Sequence, residues 1–117
     1  QLSVRGRMAA VLKYLRHNCT QTIDLDELAQ RFGYSARNLR RVFREATATT
    51  PHDYLVKLRL ARAMVALRES DANVTDVALA SGFNDGNYFS YAFRKLLGVS
   101  PSRYRREAPR GGSVGRR

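Results

Sequence analysis

The sequence contains little that would cross-link it or place it in a membrane. Its 117 residues include one cysteine, Cys19, and no tryptophan. A single cysteine excludes an internal disulfide framework and a cysteine zinc cluster. No apolar run approaches the roughly 20 residues of a membrane-spanning helix, and charges interrupt the N-terminal segment where a signal peptide would have its apolar core. We therefore expect a soluble, cytoplasmic chain with no membrane partner.

Acidic residues are also scarce. The chain has 21 Lys and Arg against 10 Asp and Glu, so its formal net charge is +11. A positive excess of this size favours a polyanionic partner. Because 44% of the residues are hydrophobic, the chain is expected to be globular rather than disordered.

Groups typical of catalytic or metal sites are missing. His17 and His52 are isolated in sequence, and each is interpreted as a surface or capping residue. No serine has the partners of a nucleophile. The carboxylates near 24–27 are interpreted as helix-start charges. We expect no enzyme activity, no cofactor and no metal.

Apolar residues recur at helical spacing along almost the whole chain, and strand signals are nearly absent. A first helix is predicted over 2–17. Asp24 followed by Glu27 is typical of a helix N-terminus, and Gly33 of the end of that short helix. Ser35 is predicted to cap the next helix, whose inner stripe would hold Leu39, Val42, Phe43 and Ala46.

The second half of the chain repeats the first. At a shift of 49, Asp24 falls on Asn73 and Gly33 falls on Gly82. After a one-residue insertion near 84–85 the shift becomes 50. It then places Phe43, Ala46, Pro51 and Tyr54 on Phe93, Leu96, Pro101 and Tyr104. The chain therefore holds two copies of one helical unit.

The helix predicted between the copies, over 51–69, is apolar on two sides. One stripe holds Tyr54, Leu58, Ala61 and Val65, and the other holds Val56, Leu60, Ala63, Met64 and Leu67. A helix of this kind is normally buried on both sides, so we expect it to link the two lobes. The predicted division is a first lobe over 1–50, a linker helix over 51–69, a second lobe over 70–106 and a basic, disordered tail over 107–117.

A short helix, a glycine turn and a second capped helix form a helix-turn-helix pattern, whose second helix fits the major groove of DNA. Residues outside the apolar stripes are Arg37, Asn38, Arg40, Arg41 and Arg44 in the first copy, and Asn87, Ser90, Tyr91, Arg94 and Lys95 in the second. Four arginines on one helix repel one another unless an anion lies nearby. We expect the first copy to supply more electrostatic affinity and the second more uncharged readout or positioning.

The linker length suggests how both copies could meet one duplex. A helix over 51–69 would span about 28 Å, close to the ~34 Å of one DNA turn. One chain could then enter two successive major grooves at an asymmetric site. Tyr91 is expected either to touch a thymine methyl or a phosphate, or to lean on Lys95.

Several motifs make a family resemblance specific. The segments RLARA, VTDVALASGF, YFSYAFRK and GVSPSRYR, all within 59–106, resemble the signature region of AraC/XylS-type bacterial transcription regulators. The segment LAQRFGYSARNLRRVFRE is similar to the first helix-turn-helix of that family. The resemblance implies an all-α, seven-helix DNA-binding domain at the C-terminus of a regulator. It also implies promoter DNA and RNA polymerase as partners, activation as the usual effect, and an upstream effector or dimerisation domain.

The resemblance also implies residue roles. Base-facing positions would be Arg37, Asn38, Arg40, Arg41, Asn87, Ser90 and Tyr91, and positions near phosphates would be Ser35, Arg44, Arg94 and Lys95. Two departures from the family pattern stand out. Gly86 replaces a longer polar residue early in the second reading helix, and no glycine follows the first reading helix. Two rival interpretations remain open, a helical module that docks an acidic protein and a module that binds structured RNA.

Overall fold

The computed structural model describes residues 4–109, and within that range the chain forms seven helices and no strands. This confirms the predicted all-α fold. The helices are α1 (Val4–Asn18), α2 (Leu25–Arg31), α3 (Ala36–Thr47), α4 (Pro51–Glu69), α5 (Val74–Ala80), α6 (Gly86–Leu97) and α7 (Pro101–Glu107). None of the described helices is long and apolar enough to cross a membrane.

Side-chain caps start the short helices where the sequence predicts them. The Asp24 carboxylate accepts a hydrogen bond of 2.9 Å from the backbone N–H of Glu27, and Asn73 accepts one of 2.8 Å from Asp76. These bonds satisfy backbone donors that have no partner inside the helix. The caps at corresponding positions therefore confirm the repeat at the level of local structure.

The glycine turns repeat as well. Gly33 has φ +80° and Gly82 has φ +107°, a backbone conformation that L side chains rarely adopt. The following residue closes each turn, because the N–H of Tyr34 donates to Ala29 and that of Phe83 donates to Ala78. These turns separate α2 from α3 and α5 from α6.

The two units also share an aromatic contact, which joins α3 to α4 in the first unit and α6 to α7 in the second. Phe43 packs edge-on against Tyr54 with ring centroids 5.3 Å apart. At a shift of 50, Phe93 packs edge-on against Tyr104 at 5.5 Å. Phe43 and Phe93 are both fully buried, so this contact lies at the centre of each core.

The chain divides into two compact units, one up to Leu58 and one from Arg59 onward. The first core is built on α1, α2 and α3 with Leu55 from α4. Buried residues of the second unit are Leu60, Ala63, Leu67, Val77, Ala78, Ser81, Phe83, Phe89, Ala92, Phe93 and Pro101. The boundary therefore falls inside α4.

The two predicted apolar stripes of α4 are only partly right. Ala61 is exposed and Val65 is 49% exposed, although the apolar spacing predicts that both are buried. The helix instead buries Leu55 in its first turns, within the first unit, and Leu60, Ala63 and Leu67 later, within the second. Each half of α4 thus buries one side rather than two.

The last turns of α3 and α6 also differ from the prediction. Ala46 is exposed and Leu96 is 50% exposed, although the apolar spacing predicts an inner position for both. The fully buried residues of α3 end at Phe43 and those of α6 at Phe93. Apolar spacing marks a stripe but does not show how far along the helix a neighbour covers it.

Helix α7 is attached to the C-terminal end of α4. The guanidinium of Arg105 donates to the backbone carbonyls of Leu67, at 3.1 Å, and Ser70, at 3.2 Å. Arg68 on α4 donates to the hydroxyl of Tyr104. Of the tail predicted to be disordered, residues 110–117 lie outside the described part of the chain.

Candidate nucleic-acid interface

Helix α3 separates its apolar and basic residues onto opposite faces. Its N-terminus is capped by Ser35, whose hydroxyl accepts a 3.1 Å hydrogen bond from the N–H of Asn38. Leu39 and Phe43 are fully buried against the first core. The four arginines at 37, 40, 41 and 44 are exposed. Burial of one face therefore fixes which residues the other face presents.

The arginines of α3 concentrate positive charge in one place. Arg40, Arg41 and Arg44 line a shallow depression of about 420 Å³ together with Glu45 and Thr50. The guanidinium groups of Arg37, Arg40 and Arg44 make no hydrogen bond or ion pair with any residue that the structure describes. These three groups are therefore available to an external anion.

Arg41 differs from the other three because both neighbouring turns hold it. Its Nη2 donates to Asn38 Oδ1 at 2.7 Å, and its Nη1 lies 3.1 Å from Glu45 Oε2. Arg41 remains solvent-accessible, since its side chain is 60% exposed. Asn38, Arg41 and Glu45 form a row along the exposed face of α3, which we call the Arg41 cluster.

Helix α6 presents a mostly uncharged surface in its first two turns. Asp85 caps it and accepts a 2.9 Å hydrogen bond from the N–H of Asn87. A Cβ at Gly86 would meet no atom within 4 Å, so packing does not require a glycine there. Asn87 is exposed and Ser90 is half-buried, which leaves Ser90 a smaller accessible surface than the other predicted contacts.

The basic residues of α6 are confined to its last turn, where Arg94 and Lys95 are both exposed. Tyr91 is 55% exposed, and Lys95 Nζ lies 5.7 Å from the centre of its ring. The tyrosine therefore contacts Lys95, as one of the two sequence-based interpretations expects, and remains exposed to solvent.

Comparison with known proteins places these features in a family. A family model described as a helix-turn-helix domain matches residues 28–107, more than half of the chain. The DNA-binding domain of AdpA, solved in complex with a target DNA, superposes with a TM-score of 0.81 at 31% identity. That superposition covers 95% of this chain and 96% of the AdpA domain. The chain belongs to the AraC-type helix-turn-helix DNA-binding domains.

Other proteins of this type are also similar to the chain in structure or in sequence. An AraC-type regulator from Chromobacterium violaceum superposes with a TM-score of 0.80 at 27% identity, covering 88% of this chain and 92% of that one. The transcriptional activator RhaS from Pectobacterium carotovorum is 38% identical over 106 residues, covering 91% of this chain but 38% of RhaS. The chain thus spans little more than a third of the length of the curated relatives it matches.

Membership of the AraC-type family confirms two expectations from the sequence. These domains carry out sequence-specific DNA binding in transcription factors, and they are not enzymes. In residues 4–109 no group of three or more His, Cys, Asp or Glu side chains could hold a metal ion. The individual DNA-contact residues stay predictions.

Two residues of this AraC-type surface were missed in the sequence analysis. Glu45 lies four residues after Arg41, which is the spacing of a helical ion pair, so the pattern could have revealed it. Tyr88 is 40% exposed and packs between Phe83, at 6.2 Å, and Tyr91, at 6.4 Å. The sequence carries a weaker signal for Tyr88, because the exposure of an aromatic residue next to the buried Phe89 depends on how the helix packs.

Proposed function

We propose that this chain is the DNA-binding part of a bacterial transcriptional activator and reads two successive major grooves with α3 and α6. The observation that carries the proposal is the exposed arginine face of α3, with three unpaired guanidinium groups opposite a fully buried face. An arginine fork matches the O6 and N7 acceptors of guanine in the major groove.

The proposed contacts divide into two classes. Base edges are read by Arg37, Asn38, Arg40, Arg41, Asn87, Ser90 and Tyr91, and phosphates are bound by Ser35, Arg44, Arg94 and Lys95. The exposure of Arg41 and Asn87 supports the first class, and the position of Arg94 and Lys95 in the last turn of α6 supports the second. Phosphate contacts set affinity and register, whereas base contacts set sequence preference.

The two helices have unequal roles in this proposal. Helix α3 provides most of the electrostatic affinity and strong guanine readout through its arginines. Helix α6 contributes amide, hydroxyl and aromatic contacts, such as Asn87 to adenine and Tyr91 to a thymine methyl. The DNA site is therefore asymmetric. We propose a spacing of about one DNA turn between the two contacted grooves.

The remaining features of the proposed regulator follow from its relatives. RhaS is named as an activator, and the chain spans little more than a third of its length. We accordingly assign effector binding or dimerisation to a further domain upstream, RNA polymerase as a partner at the promoter, and the bacterial cytoplasm as the site of action.

A selection experiment tests the proposal. The chain is used to select duplexes from a random library, and binding to the selected duplex and to a scrambled duplex is measured at several salt concentrations. We expect the logarithm of the binding constant to fall linearly with the logarithm of salt concentration, because several phosphates displace counterions. Failure to enrich any sequence, with tighter binding to structured RNA or to an acidic protein, would favour one of the rival interpretations.

Two arginine variants separate the proposed roles. Arg41→Ala should weaken binding to the selected duplex by about 1–3 kcal/mol and relax the preference at one base pair. Arg94→Ala should weaken binding to the selected and scrambled duplexes alike and reduce the salt slope by about 1. Equal losses on both duplexes for Arg41→Ala would refute its base-reading role.

A further inference from the structure

The Arg41 cluster contains an acidic residue on a surface proposed to meet a polyanion. Glu45 carries the negative charge on α3, beside the arginines that line the depression described above. A carboxylate in this position repels phosphates and therefore opposes binding to every DNA sequence. Such a residue requires a reason other than affinity.

Helix stability is too weak a reason. The Arg41 and Glu45 side chains are 60% and 64% exposed, and exposed ion pairs of this kind contribute little to folding. The chain contains a matched example, because Arg103 and Glu107 on α7 form the same pair at 2.9 Å with both side chains 57% exposed. Unlike Glu45, Glu107 lies outside both predicted reading helices.

We infer that Glu45 is a positioning residue for Arg41, and that it increases discrimination between the correct DNA site and unrelated DNA. Asn38 helps to orient Arg41 through its Oδ1 and keeps its amide N–H groups for the proposed base contact. This inference rests on the proposed function, in which Arg41 reads a base. The partner that the cluster selects is duplex DNA with a hydrogen-bond acceptor pair, such as guanine O6 and N7, opposite Arg41.

The contacts explain how the selection operates. A guanidinium has five N–H donors, and Arg41 uses one on Asn38 and one on Glu45. Three donors remain, enough for a two-donor fork to one base. Because Arg41 is held from both sides, it turns less readily to a nearby phosphate, and its three remaining donors stay in place for a base. The Glu45 charge meanwhile weakens contacts to any backbone that lacks the matching base.

The second unit shows the opposite arrangement at the same positions. At a shift of 50, Arg41 corresponds to Tyr91 and Glu45 to Lys95, and Lys95 packs over the Tyr91 ring. A lysine there attracts every phosphate backbone. At this pair of positions, Glu45 therefore favours discrimination and Lys95 favours general attraction to the phosphate backbone, while Tyr91 keeps its proposed base contact.

The test compares Glu45→Gln with Glu107→Gln, each in the chain as described, on the selected and scrambled duplexes. Glutamine removes the charge while keeping a similar shape and a carbonyl acceptor. For Glu45→Gln we expect affinity for the scrambled duplex to rise about three- to fivefold near 0.1 M salt. We also expect the ratio of selected to scrambled affinity to fall about three- to tenfold. Glu107→Gln should leave that ratio unchanged.

The inference also predicts which base pair of the DNA site loses its sequence preference. With Glu45→Gln, base preference should broaden at the same base pair that Arg41→Ala affects. In an Arg41→Ala background, Glu45→Gln should no longer change that preference.

If Arg41→Ala relaxes the preference at one base pair and Glu45→Gln does not, the inference is wrong while the proposed function stands. If Glu107→Gln lowers the ratio equally, the effect is one of total charge and the inference also fails. If Arg41→Ala relaxes no base pair, the proposed reading role itself is wrong.

Discussion

The first and second units share one internal frame but present different outer surfaces. Both have an Asp or Asn cap on the short helix, a positive-φ glycine in the turn and an edge-on Phe–Tyr contact in the core. Outside that frame, α3 carries four arginines, whereas α6 carries basic residues only in its last turn. The frame determines which positions face outward, and the residues at those positions are free to differ. One repeated unit can therefore carry two unequal outer surfaces, and we propose that these read DNA differently.

The frame itself differs at three corresponding positions. The residue after α3 is Ala48, which has φ +63°, whereas Gly98 occupies that place after α6. Leu55 is buried in the first core, whereas its counterpart Arg105 bonds to backbone carbonyls. Tyr34 stands where the second unit has a phenylalanine. At each of these positions a substitution can replace the residue of one unit, and the change in the free energy of unfolding then measures what the difference contributes.

The largest effect is expected from the shared Phe–Tyr contact. Phe43→Ala and Phe93→Ala should each cost about 3–5 kcal/mol, because each removes a fully buried ring and leaves a cavity. Urea unfolding with hydrogen exchange measures both effects. The shared frame predicts that each variant loses amide protection first in its own unit. Loss of protection first in the other unit would contradict the division inside α4.

The next largest loss of stability is expected from the hydrogen bonds of Arg105, which only the second unit has at this position. Arg105→Ala should destabilise the chain by about 1–3 kcal/mol, because the carbonyls of Leu67 and Ser70 lose a charged donor. Arg103→Ala on the same helix is the control, since Arg103 makes an exposed pair with Glu107 and should cost less than about 1 kcal/mol. Equal thermal shifts for the two variants would show that Arg105 does not anchor α7.

A smaller effect is expected where the two reading helices end. Ala48→Gly should stabilise the first unit by about 1 kcal/mol, because glycine adopts a positive φ without the steric cost that alanine carries. Gly98→Ala should destabilise the second unit by a similar amount. Urea midpoints for both variants test the pair. Changes of the same sign would contradict the structural equivalence of the two ends.

The smallest effect concerns the residue after the glycine turn. The Tyr34 hydroxyl is buried and has no hydrogen-bond partner within residues 4–109, and the second unit has Phe83 at this position. Tyr34→Phe should therefore be neutral or stabilise by up to about 1 kcal/mol. The reverse exchange, Phe83→Tyr, should destabilise the chain, because it buries a new hydroxyl. A clear loss of stability in Tyr34→Phe would mean that the hydroxyl is bonded in solution.

Local signals explain what could be predicted from the sequence. Asp24, Ser35 and Asn73 cap helices as expected, and Gly33 and Gly82 adopt a positive φ, because caps and glycine turns depend on residues a few positions away. The burial of α4 could not be predicted correctly, because apolar spacing marks a stripe without showing which neighbour covers it. For this reason the apolar spacing predicts that Ala61 and Val65 are buried, although both are exposed.

The features that could not be predicted from the sequence depend on contacts between residues far apart in the chain. Arg105 bonds to residues 38 and 35 positions earlier, which no local pattern indicates. Ser90 is only half exposed, because the accessible surface of α6 depends on how its other residues pack. By contrast, the spacing of Arg41 and Glu45 would have been sufficient to predict their pairing. The roles of the reading residues in DNA contact stay predictions.

The most direct test of two unequal reading surfaces is guanine-methylation interference on the selected duplex, because N7 methylation blocks major-groove contacts. The account predicts two sensitive segments about 10 base pairs apart on one face of the duplex. Interference should be strong in the segment lost with Arg41→Ala and weak in the other. A single sensitive segment, or two of equal strength that both survive Arg41→Ala, would contradict the account.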